Sequence, residues 1–483
     1  MTIASLGFLL LPALWSAGLV GTLGSQAVAW RLAGMSAALV VAAAVAQLLA
    51  APGLTVPHIV ALLVAVLGWV IVRYSARYLA GEPGQLRYLR ALLFTLASVS
   101  LVVATDHLGV LVAAWFASSL GLHSLLTFYP LRRPAVLAAR KKFLVSRLAD
   151  IVLVAALALV WREAGTMDIP TLLAFVDAQP ALSPGLHLAA VCFALGAILK
   201  SAALPLHGWL IQVMEAPTPV SALLHAGVVN LGGFVLIRLA GLVAAAPYAQ
   251  AILVAVGGVT ALAAGLVMAT RISIKVRLAW STCAQMGFLL LECGLGLFGF
   301  AALHLIAHSL YKAHAFLAAG DTVIATRAQA PAVTPSAWSV ALAPLASAAV
   351  LGGLAAALIT WMPSQAPHWV ALGIVVFGTA PLWWNGVARG FGCVLAVASL
   401  VFAQHALFGG LVPDQVASAE LCVLALVLLG GLYALQAWLS VAPSSRAAHW
   451  LHSQAFAGFH LDEPLSRWVL RLWPLTAPRP HAL

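Results

Sequence analysis

The chain has 483 residues, of which 63% are hydrophobic and 8% charged, with a mean hydropathy of +1.05 and a net charge of +11. A soluble domain carries about 25% charged residues, so the composition excludes a soluble globular protein and indicates a polytopic membrane protein. The positive balance does not indicate nucleic-acid binding, because no basic stripe carries interleaved aromatics and most Lys and Arg fall in short loops.

Apolar runs of about 20 residues, each able to span ~30 Å of hydrocarbon, recur along the chain. The expected fold is all-α, with about fifteen transmembrane helices. They are placed at 2–24, 30–51, 57–73, 88–105, 108–129, 147–162, 187–213, 217–242, 248–270, 275–296, 299–325, 338–361, 369–388, 391–408 and 418–442. The first run has no basic flank and no clear cleavage site, so it reads as a retained helix. With the N-terminus outside, every Lys and Arg except Arg162, Lys200, Arg238 and Lys312 falls on the cytoplasmic side. Cytoplasmic loops are enriched in such residues, so N-out, C-in is the expected orientation. The organisation is read as N-terminal helices (1–107), a core (108–330), C-terminal helices (331–443) and a cytoplasmic tail (444–483).

Two stretches are not read as spans. Residues 134–142, PAVLAARKK, are expected to lie along the inner surface. In the tail, Phe459, Leu465, Trp468, Val469 and Leu472 would share the apolar face of an amphipathic helix. That face suits a membrane interface or a docking partner. Cys192, Cys283, Cys293, Cys393 and Cys422 lie in apolar runs without CxxC spacing, which suggests neither a disulfide framework nor a metal site.

The polar residues inside the spans carry the chemistry. Residues 200–225 read KSAALPLHGWLIQVMEAPTPVSALLH. Lys200 sits five residues before Pro205, where the seventh span is expected to break. A lysine at membrane depth costs about 3 kcal/mol to insert as a cation, and it can exchange a proton if a partner tunes it. Glu215 follows, with Pro217 and Pro219 as further helix breakers, and His225 lies in the eighth span. His304, His308 and Lys312 are spaced i, i+4, i+8 and share one face of the eleventh span, whereas His314 lies on another. His123 is the fifth span's titratable group. Arg147 and Asp150 stand three apart, a spacing that allows a pair on one helix face.

These residues carry a resemblance. LKSAALPLHGWLIQVMEAPTPVSALLHA (199–226), IKVRLAWSTCAQMG (274–287), HLIAHSLYKAHAFLAAGDTV (304–323) and the A-x-x-K-x-F-x-x-x-R-x-x-D run ending at Asp150 resemble the antiporter-like proton-translocating subunits of complex I and of Mrp cation/proton antiporters. The resemblance covers roughly residues 90–330. It implies two inverted five-helix repeats with broken helices 7 and 11. It also implies Lys200 as the central channel lysine, His225 as its relay partner, and His304, His308 and Lys312 along a second half-channel.

The chain departs from that pattern at two places. The family's fifth helix carries Trp-Glu-Gly, and here Trp115, Phe116 and Ala117 stand in those positions. The carboxylate that pairs with the channel lysine is therefore missing, and His123 or Glu215 is the expected substitute. The family's exit lysine after the twelfth span has no counterpart in TWMPSQAPHW (360–369). A divergent member with an amphipathic tail resembles the DabB-type membrane subunits of inorganic-carbon accumulation complexes. That resemblance implies a DabA-like cytoplasmic zinc partner, with H⁺ or Na⁺ flow through this chain driving CO2 hydration to bicarbonate. No cofactor is expected in this chain. Two other readings stay open: an ion-translocating subunit of a complex I-like, hydrogenase or Mrp-type assembly, and a non-conducting anchor. No nucleotide loop or nucleophile constellation makes this chain an enzyme by itself.

Overall fold

The computed structural model describes residues 3–320, 335–361, 368–408, 411–412 and 414–474. Among them the regular structure is helical, and strand pairing is limited to one isolated bridge between His107 and Asp168. Without water to satisfy it, backbone at membrane depth must bond to itself, which makes the helix the default element.

The helices in chain order are α1 (Ile3–Val20), α2 (Gln26–Ala50), α3 (Val56–Tyr78), α4 (Gln85–Ala104), α5 (Leu108–Leu126), α6 (Arg133–Ala164), α7 (Ile169–Asp177), α8 (Pro184–Lys200), α9 (Gly208–Gln212), α10 (Thr218–Ala226), α11 (Leu231–Arg238), α12 (Ala240–Ala244), α13 (Pro247–Ala269), α14 (Ile274–Gly294), α15 (Phe298–Leu317), α16 (Ala337–Trp361), α17 (Trp369–Thr379), α18 (Val387–Phe408), α19 (Ala419–Val441), α20 (Arg446–Phe456) and α21 (Glu463–Leu472). Nine described helices are long and apolar enough to cross a membrane, and four shorter apolar ones accompany them. Each of the fifteen expected spans overlaps a helix or a broken pair among the described residues, and 321–325 of the eleventh lie outside them. Ile151, Val154, Leu310 and Tyr311 face outward, the pattern of a bundle whose surroundings are apolar.

Several boundaries differ from the sequence expectation. Residues 134–142 are not a separate surface segment, because they form the first turns of the 32-residue α6. Lys141 and Lys142 are buried there, so their charges are held by protein. The seventh span breaks as expected, between Lys200 and Gly208, across a cis Leu204–Pro205 bond. Pro217 and Pro219 do not break a helix. They occupy the N-cap and first turn of α10, where a missing N–H costs nothing. The eighth span is the one interrupted, at Gly227–Asn230, without a proline. The eleventh span is continuous through His304, His308 and Lys312, turns at Ala318 and resumes helix at 319–320. The twelfth-span exit region falls largely on 362–367, outside the described residues.

Small residues let helices close in where there is no hydrophobic drive between them. A Cβ at Gly287 of α14 would stand 2.7 Å from the Ala261 nitrogen and 2.7 Å from the Gly257 oxygen of α13. Gly287→Val is therefore expected to cost about 3 kcal/mol, the upper end for overpacking, because backbone and not side chain must move. A lowered thermal midpoint in detergent checks this.

In the tail, the amphipathic helix starts at Glu463 and leaves Phe459 in a preceding 3-10 turn. Val469 is buried against the chain, whereas Trp468 and Leu472 are exposed.

Candidate ion-translocation site

The break after α8 leaves backbone groups that the rest of the protein satisfies. The Leu204 N–H donates to Thr260 Oγ1 (3.1 Å), and Cys283 Sγ donates to the Ala202 carbonyl (3.3 Å). Ala202 holds φ at +53°, a left-handed conformation costly for a residue with a Cβ, so the surrounding contacts over-determine it. The two breaks meet where Ser201 Oγ donates to the Val229 carbonyl (3.4 Å). Asn230 Nδ2 donates to Ser309 Oγ (2.7 Å), which ties the second break to α15.

Lys200 lies at the end of α8, 8% exposed. Its Nζ donates to Asp150 Oδ1 of α6 at 2.7 Å and stands 4.8 Å from the centre of the Trp115 ring. Asp150 also faces Arg147, whose Nη2 is 2.9 Å from Oδ2, close enough for ion pairing but outside hydrogen-bond geometry. The Arg147 guanidinium lies over the Phe116 ring at 4.1 Å and donates to Ser119 Oγ at 3.2 Å. The position of the missing glutamate is thus covered by an arginine stacked on an aromatic face.

Neither residue expected to replace that glutamate touches Lys200. His123 faces the Ala139 carbonyl (Nδ1···O 3.3 Å) and packs on Phe143. Glu215 pairs with Arg132 at 3.6 Å, with both side chains about half exposed. Asp150, expected both to face Arg147 and to belong to the ion path, is the carboxylate that Lys200 meets.

Lys142 is fully enclosed, and its Nζ donates to both Ser119 O and Ser119 Oγ at 2.7 Å. A cavity of ≈ 20 Å³ lies between Lys142 and Lys200, lined by Ser118, Ser119, Ser146 and Trp209 and by Val228 and Val229 of the second break. That is room for about one water among polar partners. At the α9 end, Lys141 Nζ reaches Asp462 Oδ2 of the tail at 2.6 Å.

A second group gathers on α15. Lys312, fully buried, donates to the Leu278 carbonyl (2.9 Å). His225 is fully buried and stacked on Phe316 with ring centres 4.4 Å apart. Neither of its ring nitrogens has a hydrogen-bond partner among the described residues. His308 Nε2 lies 3.2 Å from the His225 carbonyl, which can only accept, so Nε2 carries the proton and Nδ1 is the basic nitrogen. His304 Nδ1 lies 2.8 Å from Oε2 of Glu292, a wholly buried acid on α14.

Sequence reasoning missed Glu292. The available signal was an acid inside the apolar run FLLLECG, alone in the sequence between Glu215 and Asp321. It also missed Lys141 and Lys142, whose basic run resembles an exposed inner loop. Among the described residues no group of three or more His, Cys, Asp or Glu is arranged to hold a metal.

A model of the NADH:quinone oxidoreductase/Mrp antiporter transmembrane family matches residues 105–395, which hold all of these groups except Asp462. The chain belongs to that family. Within this antiporter family it is 39% identical over 448 residues to the probable inorganic carbon transporter subunit DabB2 of Halothiobacillus neapolitanus, covering 87% of this chain and 80% of that protein. It is 51% identical over 295 residues to the probable inorganic carbon transporter subunit DabB of Hydrogenovibrio crunogenus, 60% of this chain and 57% of that protein. These matches place it among the DabB-type members. NADH-quinone oxidoreductase subunit L of Escherichia coli is 34% identical over 260 residues, 53% of this chain and 42% of that one. The antiporter fold is shared with the Mrp complex from Dietzia, at TM-score 0.58 and 23% identity over 97% of this chain and 57% of that one. The chain is thus a multi-pass membrane subunit of antiporter type.

Proposed function

We propose that this chain is the ion-translocating subunit of an energy-coupled inorganic-carbon pump. A proton or sodium gradient across it drives CO2 hydration and bicarbonate accumulation by a cytoplasmic, DabA-like zinc subunit. The orientation is N-out, C-in, the 108–330 core carries the ion path, and the 444–483 tail faces the partner. The names of the DabB relatives support the carbon-uptake part of this reading.

The observation that carries the ion path is the Lys200–Asp150 pair at 2.7 Å, buried beside two helix breaks. When a proton passes from Lys200 Nζ to Asp150 Oδ1, one N–H bond breaks and one O–H bond forms. A charged pair becomes a neutral one in a low-dielectric site, and neither partner is left as a lone buried ion. The neutral amine can then take a proton from the α15 side, while the Asp150 carboxyl releases one toward the Lys142 cavity. His225, His308 and Lys312 form the α15 half of the path. His123 lies on the Lys142 side of the path without pairing with Lys200, and Glu215 pairs with Arg132.

Lys200→Ala is expected to abolish ion flux and CO2-dependent growth while the complex still assembles, because Asp150 keeps Arg147 as a partner. Flux in proteoliposomes, with co-purification as the assembly control, checks this. Wild-type growth and flux in the variant would overturn the conduction reading. The match to NADH-quinone oxidoreductase subunit L supports a second reading, a proton-translocating subunit of a redox or Mrp-type complex. Co-purification separates the two: a large soluble zinc protein selects the first, and flavin and iron–sulfur subunits select the second.

A further inference from the structure

The α15 face has an acid that the path described above does not use. Glu292 stands at the end of α14, wholly enclosed, with Oε2 at 2.8 Å from His304 Nδ1. Burying a carboxylate is costly unless it is paired, and its partner is a titratable ring and not a fixed cation. Glu292 Oε1 and His304 Nε2 are both buried without a hydrogen-bond partner among the described residues. The pair therefore has one polar atom without a partner on each side, the Glu292 Oε1 acceptor and His304 Nε2.

The surroundings give the pair a direction. On one side is Asp414, which acts electrostatically on Glu292 and accepts the Gly299 N–H at the start of α15 (2.9 Å). Asp414 and His368 are the polar residues lining a cavity of ≈ 30 Å³ walled otherwise by apolar side chains such as Phe300 and Leu351, room for about one water bonded to those two. On the other side the His304 ring meets His308 edge-on, with centres 5.9 Å apart. Lys312 follows one turn further along α15. The titratable groups facing the pair are thus Asp414, Cys293 and His308.

We propose that Glu292 and His304 form a proton-loading pair that feeds the His308–Lys312 segment from the Asp414 end. The proposal rests on the conduction reading above. A proton taken from water at the Asp414 end joins the pair. It sits either on Glu292 Oε2 as O–H···Nδ1 or on His304 Nδ1 as N–H···O. Moving it across the 2.8 Å bond breaks one O–H and forms one N–H. The imidazolium then releases the proton on Nε2 to His308 Nδ1, breaking one N–H and forming another, and leaves a carboxylate beside a neutral ring. Glu292 is a proton-carrying member of the relay in this scheme, and its charge also lets His304 hold a proton in a place where a lone imidazolium would be prohibitive.

The test uses the assembled complex in proteoliposomes under an imposed proton gradient. The pH at the Asp414 face is varied while the other face is held fixed. Wild type is expected to show flux that saturates with acidity at that face. Glu292→Gln is expected to lower flux roughly a hundredfold and remove the saturation, and Glu292→Asp to restore most of both. If the glutamine variant fails to assemble, His304→Gln, which keeps a donor to Oε2, carries the same expectation. Wild-type flux and pH dependence in Glu292→Gln or His304→Gln, with Lys200→Ala inactive, would overturn the loading pair and leave the conduction reading standing. An inactive wild-type complex would overturn both.

Discussion

Asp150→Asn is expected to damage the protein more than Lys200→Ala does, although the two residues form one ion pair. The asymmetry follows from what each deletion leaves behind. Without Lys200, Asp150 still faces the Arg147 guanidinium at 2.9 Å. Without the Asp150 charge, Lys200 is an ammonium with a 5% exposed side chain, left beside the Trp115 ring and the small cavity it shares with Lys142. Arg147 loses its acid in the same step. Orphaning one member of a buried pair costs about 3–5 kcal/mol, whereas replacing both by apolar groups of similar volume is often nearly neutral. Asp150→Asn should therefore lose ion flux and also show a clearly lowered thermal midpoint in detergent. Lys200→Met combined with Asp150→Leu should lose flux but regain the part of the stability lost by orphaning Lys200, while Arg147 stays without its acid, a non-additivity expected of groups in direct contact. Equal stability of Asp150→Asn and wild type would mean that the carboxylate does not hold Lys200.

The same pair shows what the sequence could and could not reveal. Lys200, His225, His304, His308 and Lys312 stand out because charge and imidazole are rare in apolar runs, and all five are enclosed, or nearly so, in the described bundle. The spans were legible for the same reason, since a run of about 20 apolar residues has few alternatives to a membrane helix. Pairing was not legible. Asp150 and Lys200 are 50 positions apart, and nothing in one dimension says that α6 brings its acid to the end of α8. The missing glutamate at Phe116 drew attention to His123, on the same helix, and to Glu215, close in sequence. Proximity along the chain misled in both cases. The break at Gly227–Asn230 was hidden because no proline marks it, whereas Pro217 and Pro219 looked like breakers and serve as a helix start. Lys141 and Lys142 were hidden because a basic run reads as solvated until its partners are known.

Those partners make the tail the second place where one substitution should have a large effect. Lys141 has a fully buried side chain, and Asp462 Oδ2 reaches it at 2.6 Å, with further donors from Gln212 Nε2 (3.2 Å) and Ser466 Oγ (3.0 Å). The carboxylate also packs on Gly208, the first residue of α9, where any Cβ would overlap it. Two outlying contacts flank this anchor. Arg140 donates to the Trp473 carbonyl at 2.7 Å, and Arg271 lies over the Phe456 ring. Both are cation contacts to a partly solvated surface and carry less than a buried pair. Asp462→Asn leaves the Lys141 ammonium uncompensated, a cost of about 3–5 kcal/mol, and should release the tail from the seventh-span break. Limited proteolysis should then cut between residues 444 and 474 faster than in wild type. Glu463→Gln is the control one residue away. Its partners His460 and Arg467 are exposed, so protection of the tail should change little. Gly208→Ala should mimic Asp462→Asn by displacing the carboxylate without removing its charge. If protection survives both Asp462→Asn and Gly208→Ala, the tail is held by its apolar face, through Val469 and its neighbours, and not by Lys141.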